Sequence, residues 1–184
     1  MNPYLITEPT CISFSGGRTS AYMLYQVLQA NNGLPSEAKV CFANTGKEDE
    51  ATLRFVDRCS KEWGVPITWV EYRNDDKGYA IVDFDTASRH GEPFEALITK
   101  KKYLPNPVAR FCSMEMKGVA ITKATGLESD ATMVGVRADE AMRVPKLRAR
   151  GLSYLWLMLA YLSIMFEPFG RRIALTWSWK SGAA

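Results

Sequence analysis

Histidine and metal-type cysteine spacing are what this chain most conspicuously lacks. It has one histidine, His90, and four cysteines in 184 residues. Cys11, Cys41, Cys59 and Cys112 contain no CxxC pair, which excludes the usual zinc and iron–sulfur patterns. His90 stands in a polar stretch with no partner for proton-transfer chemistry. No apolar run reaches the roughly 20 residues a membrane helix needs, so no membrane partner is expected. The first residues lack a basic region followed by an apolar stretch, so no secretory signal is read. With Cys11 and Cys41 inside apolar runs, these absences lead us to expect a reducing cytoplasm. Charge is nearly balanced, 23 Lys and Arg against 20 Asp and Glu, a net of +3. That excess does not indicate nucleic acid as the partner, although it leaves one open. The local cluster Lys100-Lys101-Lys102 reads as a solvated loop.

What is present describes one globular unit. Hydrophobic residues make up 47% and charged residues 23%, and the length suffices for one domain with a substantial core. Along the chain, Cys11–Phe14, Val40–Ala43 and Ile67–Tyr72 read as apolar strands without alternation. Between them Ser20–Ala30 and Ala51–Trp63 read as amphipathic helices. Continuous apolar strands alternating with helices predict an α/β fold, a parallel sheet covered by helices on both faces. The stretch Arg73–Pro107 mixes charges, glycine, prolines and aromatics, and reads as an insertion over the substrate side. Helix Ser113–Ala124 and strand Thr132–Val136 then resume the alternation.

The segment Ser13-Phe14-Ser15-Gly16-Gly17-Arg18-Thr19-Ser20 carries the clearest chemistry. A buried strand runs into Ser-Gly-Gly, and a helix is expected from Ser20, with Tyr22, Met23, Tyr25, Gln26 and Leu28 on its face. Glycines let the backbone turn sharply and leave N–H groups uncovered, and the helix N-terminus adds partial positive charge. The combination suits a phosphate or pyrophosphate. It is not a Walker A loop, because no Gly-Lys-Ser/Thr follows the spacer. A plain Ser/Gly turn at a strand end is the alternative reading, with Ser20 as the helix N-cap.

The Ser15–Ser20 segment is similar to the Ser-Gly-Gly-x-x-Ser signature of the PP-loop ATP pyrophosphatase superfamily. Three further segments follow in that family's order. Val40-Cys41-Phe42-Ala43-Asn44-Thr45-Gly46 is a strand and turn followed by Glu48. Arg110-Phe111-Cys112-Ser113 leads through Met114-Glu115-Met116 to Lys117. Val134-Gly135-Val136-Arg137-Ala138-Asp139-Glu140 with Arg143 is similar to a Gly-Ile-Arg-x-Asp/Glu-Glu-x-x-Arg segment. Over residues 10 to 145 the chain resembles the phosphoadenosine phosphosulfate (PAPS) reductase-like branch found in phages and bacteria.

The resemblance implies a Rossmann-like parallel sheet of the adenine nucleotide alpha-hydrolase type. It implies ATP, or the sulfonucleotides PAPS or APS, as ligand, with Mg2+ as an optional companion. Ser15, Gly16, Gly17, Arg18, Thr19 and Ser20 would hold the phosphates; Asn44, Thr45 and Gly46 would lie against the adenosine. Lys117, Arg137, Arg143 and Arg110 would stabilise the charge that builds when the bond between the α- and β-phosphates breaks. Asp139 and Glu140 would orient those cations or a metal. Thr19 stands where ATP-cleaving relatives carry Asp, which leaves the metal ligands unknown. Glu48, Asp49 and Glu50 offer oxygens, yet acidic residues also simply suit a first helical turn. Three functions follow. One is adenylation of an unidentified acceptor with release of pyrophosphate. Another is sulfonucleotide reduction, for which the family's Glu-Cys-Gly-x-His segment is missing and no cysteine follows Cys112. A third is a non-catalytic nucleotide-binding partner in nucleic-acid modification. A homodimer is compatible with each.

Residues 1–150 are thus expected to form the nucleotide-binding domain, and 151–184 a separate hydrophobic tail. Leu152–Phe166 is nearly uncharged and reads by itself as a buried or partner-facing helix. Codon degeneracy permits another reading. Shifted by two bases from Tyr154, the same codons admit Pro-Leu-Ala-Asp-Ala-Gly-Val-Ser-Phe-Asp-His-Val-Arg-Thr-Phe-Trp, similar to the family's downstream text. The tail is accordingly expected to be an out-of-frame translation.

Overall fold

The computed structural model describes residues 2–106, 108–109, 111–128, 131–137, 142, 145 and 153–157, with backbone alone at 137 and 153–157. Its sheet is built from β1 (Thr10–Ser13), β2 (Ala38–Asn44), β3 (Ile67–Tyr72), β4 (Tyr79–Val82), β5 (Thr132–Arg137) and β6 (Ser153–Leu157). The spatial order is β4-β3-β2-β1-β5-β6. All pairs are parallel except β3 with β4. The chain winds outward from β1 to β3, then returns to place β5 on the other side of β1. That reversal leaves a crevice beyond the carboxyl ends of β1 and β5, where open α/β sheets take their ligands.

Strand alternation divides the apolar residues between two faces. Ile12, Val40, Phe42 and Trp69 pack in one core with Leu24 and Val27 of α1 (Arg18–Asn31) and Leu53 and Val56 of α2 (Glu50–Trp63). Cys11, Cys41 and Ala43, at the alternate positions, pack with Ile121 of α5 (Ala120–Thr125). Tyr72 is buried with Leu97 of α3 (Glu92–Lys101), Phe111 of α4 (Phe111–Ser113) and Met116 of the π-helical turn Met114–Val119. Both faces are therefore covered, and each large buried side chain stabilises the fold by about 1.5–3 kcal/mol. This is why the strands read as continuous apolar runs. The fold class is α/β and Rossmann-like, as expected.

α2 shows the local logic most fully. Leu53, Val56 and Cys59 recur at helical spacing and are buried. Asp49 caps the helix by accepting from Ala51 N at 2.7 Å, and Gly64 ends it at φ 62°. Exposed pairs Glu50–Arg54, Asp57–Lys61 and Arg58–Glu62 lie one turn apart.

Several sequence expectations are corrected. α1 begins at Arg18, two residues before Ser20, and Gly17 is its N-cap. Its buried face is Ser20, Ala21, Met23, Leu24, Val27 and Leu28; Tyr22, Tyr25 and Gln26 are only half-buried. The aromatic rings drew the face too far round the helix. β2 runs through Asn44 and α2 starts at Glu50. The stretch Arg73–Pro107 is no mere insertion: it supplies the antiparallel edge strand β4 and helix α3. β4 is short and half-exposed, so it lacks the apolar signal of the central strands. The expected helix Ser113–Ala124 is a continuous helical stretch over 111–125 whose middle widens to a π turn. The described part of the tail, Ser153–Leu157, is a strand against β5 rather than a helix, with Val134 opposite Tyr154 and Arg137 opposite Leu157. Residues 158–184 lie outside the described residues. No helix among the described residues is long and apolar enough to cross a membrane.

Candidate functional site

The loop after β1 is held by its own serines. Ser15 N–H donates to Ser20 Oγ at 3.1 Å and Ser15 Oγ to the same atom at 3.0 Å. Ser20 Oγ donates onward to Gly17 O at 2.9 Å. Ser20 is 3% exposed. The serines at the two ends of the motif therefore brace the turn from within, and Ser20 is the third helical residue rather than the cap. Below the loop, Phe14 N–H donates to Cys41 O at 2.8 Å, tying it to β2.

The two glycines have different reasons to be glycine. Gly16 has φ +72°, and a Cβ there would meet Thr52 Cγ2 at 2.6 Å and Val56 Cγ2 at 3.1 Å. The fold itself forbids a side chain at 16. Gly17 sits at φ −100°, ψ 164°, extended backbone open to any residue. A Cβ at 17 would touch only Ser15 Oγ, at 3.6 Å. Among the described residues nothing requires glycine at 17. Its missing side chain leaves open the approach to the start of α1, whose first N–H groups have no partner inside the helix. Ala21 N–H is the first to close a turn, on Gly17 O at 3.0 Å.

β5 completes the crevice. Ser13 is in register with Val134, so Arg137 leaves the sheet at the same end as Ser15–Ser20. Gly135 lies under α1: a Cβ there would stand 3.3 Å from Thr19 Cγ2 and 3.4 Å from Thr19 O. Its lack of a side chain lets β5 approach the helix start. The expected cations Arg110 and Arg143, and the acids Asp139 and Glu140, lie outside the described residues. Only the backbone of Arg137 is described.

The second turn has a buried foundation. Asn44 is wholly buried at the end of β2, opposite Glu71 of β3. Its Nδ2 donates to Glu71 Oε1 at 2.6 Å and to Ser88 O at 2.8 Å, and its Oδ1 accepts from Gly46 N at 3.1 Å. Glu71 is 3% exposed and also accepts from Ser88 N at 2.7 Å and Ser88 Oγ at 2.8 Å. Asn44 thus lies beneath the turn with its amide engaged, with Thr45 half-buried above it and Gly46 itself buried. Gly46, at φ +73°, faces Gly91 and Pro93 so closely that a Cβ would fall 2.9–3.0 Å from them. Lys47 Nζ adds a bond to His90 O at 2.7 Å. The lone histidine thereby supplies a carbonyl to a neighbouring loop. A cavity of about 320 Å3 opens beyond this turn at the end of β3, bordered by Glu71, Arg73, Asn74, Asp75 and Glu92.

Lys117 reaches the same turn from the π-helical stretch. Its Nζ stands 3.9 Å from Glu48 Oε1, which also accepts from Thr45 Oγ1 at 3.0 Å. One residue pair thus joins the Asn44–Gly46 motif to the Arg110–Lys117 motif. Lys101 Nζ pins the π turn through Glu115 Oε1 at 2.7 Å. Of the other acids, Asp49 is the α2 cap and Glu50 pairs with Arg89 at 2.9 Å and with Arg54. The hydrogen bond from Arg89 holds the Glu50 carboxyl below the usual range. Among the described residues no three His, Cys, Asp or Glu converge as a cation site.

The order of these elements matches a known domain. The pattern of the phosphoadenosine phosphosulfate reductase domain covers residues 9–150. The chain belongs to that family. Among curated proteins it is similar to the uncharacterized nin region protein ORF290 of Escherichia phage lambda. The two are 32% identical over 157 residues, 78% of this chain and 52% of the relative. The chain therefore spans about half the length of the curated relative it matches.

For this family member the cysteines are the informative remainder. All are free; Cys11, Cys41 and Cys59 are buried and Cys112 is half-buried. Cys11 is pushed up by its hydrogen bond to Cys41 and by burial, and burial pushes the Cys59 thiol up to about 12. Reading the sequence missed Glu71 and Ser88, since an acid inside an apolar strand carries no motif. A lone Glu between Val70 and Tyr72 was the available signal.

Proposed function

We propose that this PAPS reductase-family domain binds an adenine nucleotide, ATP foremost, with its phosphates on the Gly17–Ser20 segment and its nucleoside beside Thr45 and Gly46. The observation that carries the reading is Gly17: no contact among the described residues and no backbone strain calls for glycine there, whereas a phosphate approaching the helix N-terminus does. The bound nucleotide would supply an activated adenylyl group. In this reading an acceptor oxygen attacks the α-phosphorus, the bond to the β-phosphate breaks, and pyrophosphate leaves. Lys117 and Arg137 offset the negative charge on the departing oxygens. The cavity beside Glu71 offers room for the acceptor.

Adenylation is preferred over sulfonucleotide reduction because that reduction needs an accessible nucleophilic thiol, three of the four thiols are buried, and this leaves the half-buried Cys112 as the one candidate for it. The test is a pair of assays on the full chain. ATP should raise the melting temperature, and pyrophosphate should be released from ATP in the presence of a competent acceptor. Release of sulfite from PAPS or APS under a thiol reductant would establish the reductase reading instead. Absence of stabilisation by ATP, PAPS and APS alike would remove the nucleotide reading.

A further inference from the structure

Glu48 has no role in the reaction just described, yet it meets the one described cation assigned to that reaction. Its Oε1 takes the Thr45 hydroxyl at 3.0 Å and faces Lys117 Nζ at 3.9 Å. The side chains remain 24% and 48% exposed, so both groups are within reach of solvent and of a ligand. The two acids that follow it are differently engaged: Asp49 caps α2 and Glu50 is held by Arg89 and Arg54. Glu48 alone of these three presents its carboxylate to the site.

We propose that Glu48 is a place-holding anion that occupies Lys117 until a polyphosphate displaces it. The inference rests on the nucleotide reading above and adds a specificity-determining residue to it. Partly exposed ion pairs are weak, so the Lys117 contact is readily exchanged. A ligand of one negative charge gains little by replacing a carboxylate already in place. A pyrophosphate group carries several charges and adds backbone contacts at the helix start, so it gains more. Thr45 keeps the carboxylate at the turn, ready to re-pair with Lys117 when the site empties. The contact thus favours polyphosphates over simple anions.

The test measures binding of inorganic pyrophosphate and inorganic phosphate to the full chain by calorimetry. It compares wild type, Glu48→Gln, Lys117→Ala and the double variant. Place-holding predicts that Glu48→Gln binds both anions a few-fold tighter, with the larger relative gain for phosphate. It further predicts that the gain vanishes when Lys117 is already alanine. A purely structural role does not produce tighter binding, so the sign separates the two. Weaker or unchanged binding in Glu48→Gln overturns the proposal, as does a gain that persists without Lys117, which would be simple charge repulsion. Weaker binding restricted to magnesium-containing buffer would make Glu48 a metal ligand and also overturn it. If wild type and all variants fail to bind pyrophosphate and ATP, the nucleotide reading fails, a result distinct from an unresponsive Glu48.

Discussion

Gly16 faces Thr52 so closely that a Cβ would lie 2.6 Å from Thr52 Cγ2, whereas a Cβ on Gly17, its neighbour, would make only an ordinary contact with Ser15 Oγ at 3.6 Å among the described residues. The loop therefore contains one glycine required by the fold and one that the fold leaves free. Separate substitutions at the two positions give separate outcomes.

Gly17→Val should leave the melting temperature within a few degrees of wild type and abolish stabilisation by ATP. In wild type, ATP at a hundred times its dissociation constant should add about 2.7 kcal/mol. Gly16→Val should instead lower stability directly, by about 2 kcal/mol or more, through left-handed strain and the Thr52 clash. Thermal melts with and without ATP check both. A Gly17→Val protein that keeps its full ATP shift would take the loop out of the site.

Lys117→Ala should slow pyrophosphate release by about tenfold to a hundredfold while changing folding stability by less than about 1 kcal/mol. Arg137→Ala should slow release comparably. Initial rates with a competent acceptor, set beside denaturant melts, provide the comparison. Wild-type rates in both variants would exclude them from the chemistry.

Asn44→Ala should cost about 1–3 kcal/mol for each buried partner it leaves without a bond, because Glu71 and Gly46 N both lean on that amide. Urea unfolding should register the loss. A change under about 0.5 kcal/mol would mean that the Asn44–Glu71–Ser88 network does not support the turn.

Thiol-specific alkylation at neutral pH should modify Cys112 first. Cys11 and Cys41 are 0–1% exposed, and Cys59 at 3% exposure has its thiol pushed up to about 12. A raised thiol pKa keeps the neutral, unreactive form below that pH, so Cys59 should gain reactivity only in strong alkali or on unfolding. Peptide mapping by mass spectrometry reads the order. Rapid native labelling of Cys59 would contradict the packing of α2.

A chain ending at Gly151 lacks β6 and exposes the edge of β5. Amide exchange should accelerate in Thr132–Arg137 while β1 and β2, shielded in the middle of the sheet, keep their protection. ATP should still stabilise the shortened chain, since β1, α1 and the Asn44–Gly46 turn are intact. Unchanged exchange in β5 would mean that Ser153–Leu157 adds nothing to the sheet.

The alternation of apolar strands and helices was legible in the amino-acid sequence because burial on both faces leaves an unbroken hydrophobic run and α2 repeats at helical spacing. The turn from β1 into α1 was legible too, since Ser-Gly-Gly lets the backbone reverse sharply at a strand end. Local pattern stops there. It did not distinguish Gly16 from Gly17, because the difference lies in what stands opposite them, Thr52 and Val56 from a helix some forty residues on. It did not show that Asn44 pairs with Glu71 across β2 and β3 and lies beneath the turn. It passed over β4, whose half-exposed residues carry little apolar signal and which is defined by its hydrogen bonds to β3. The meeting of Glu48 with Lys117 depends on the π turn packing against β2, a long-range contact with no local signature. Residue type and spacing determined which elements form, and tertiary packing decided which polar groups face one another at the carboxyl ends of the strands.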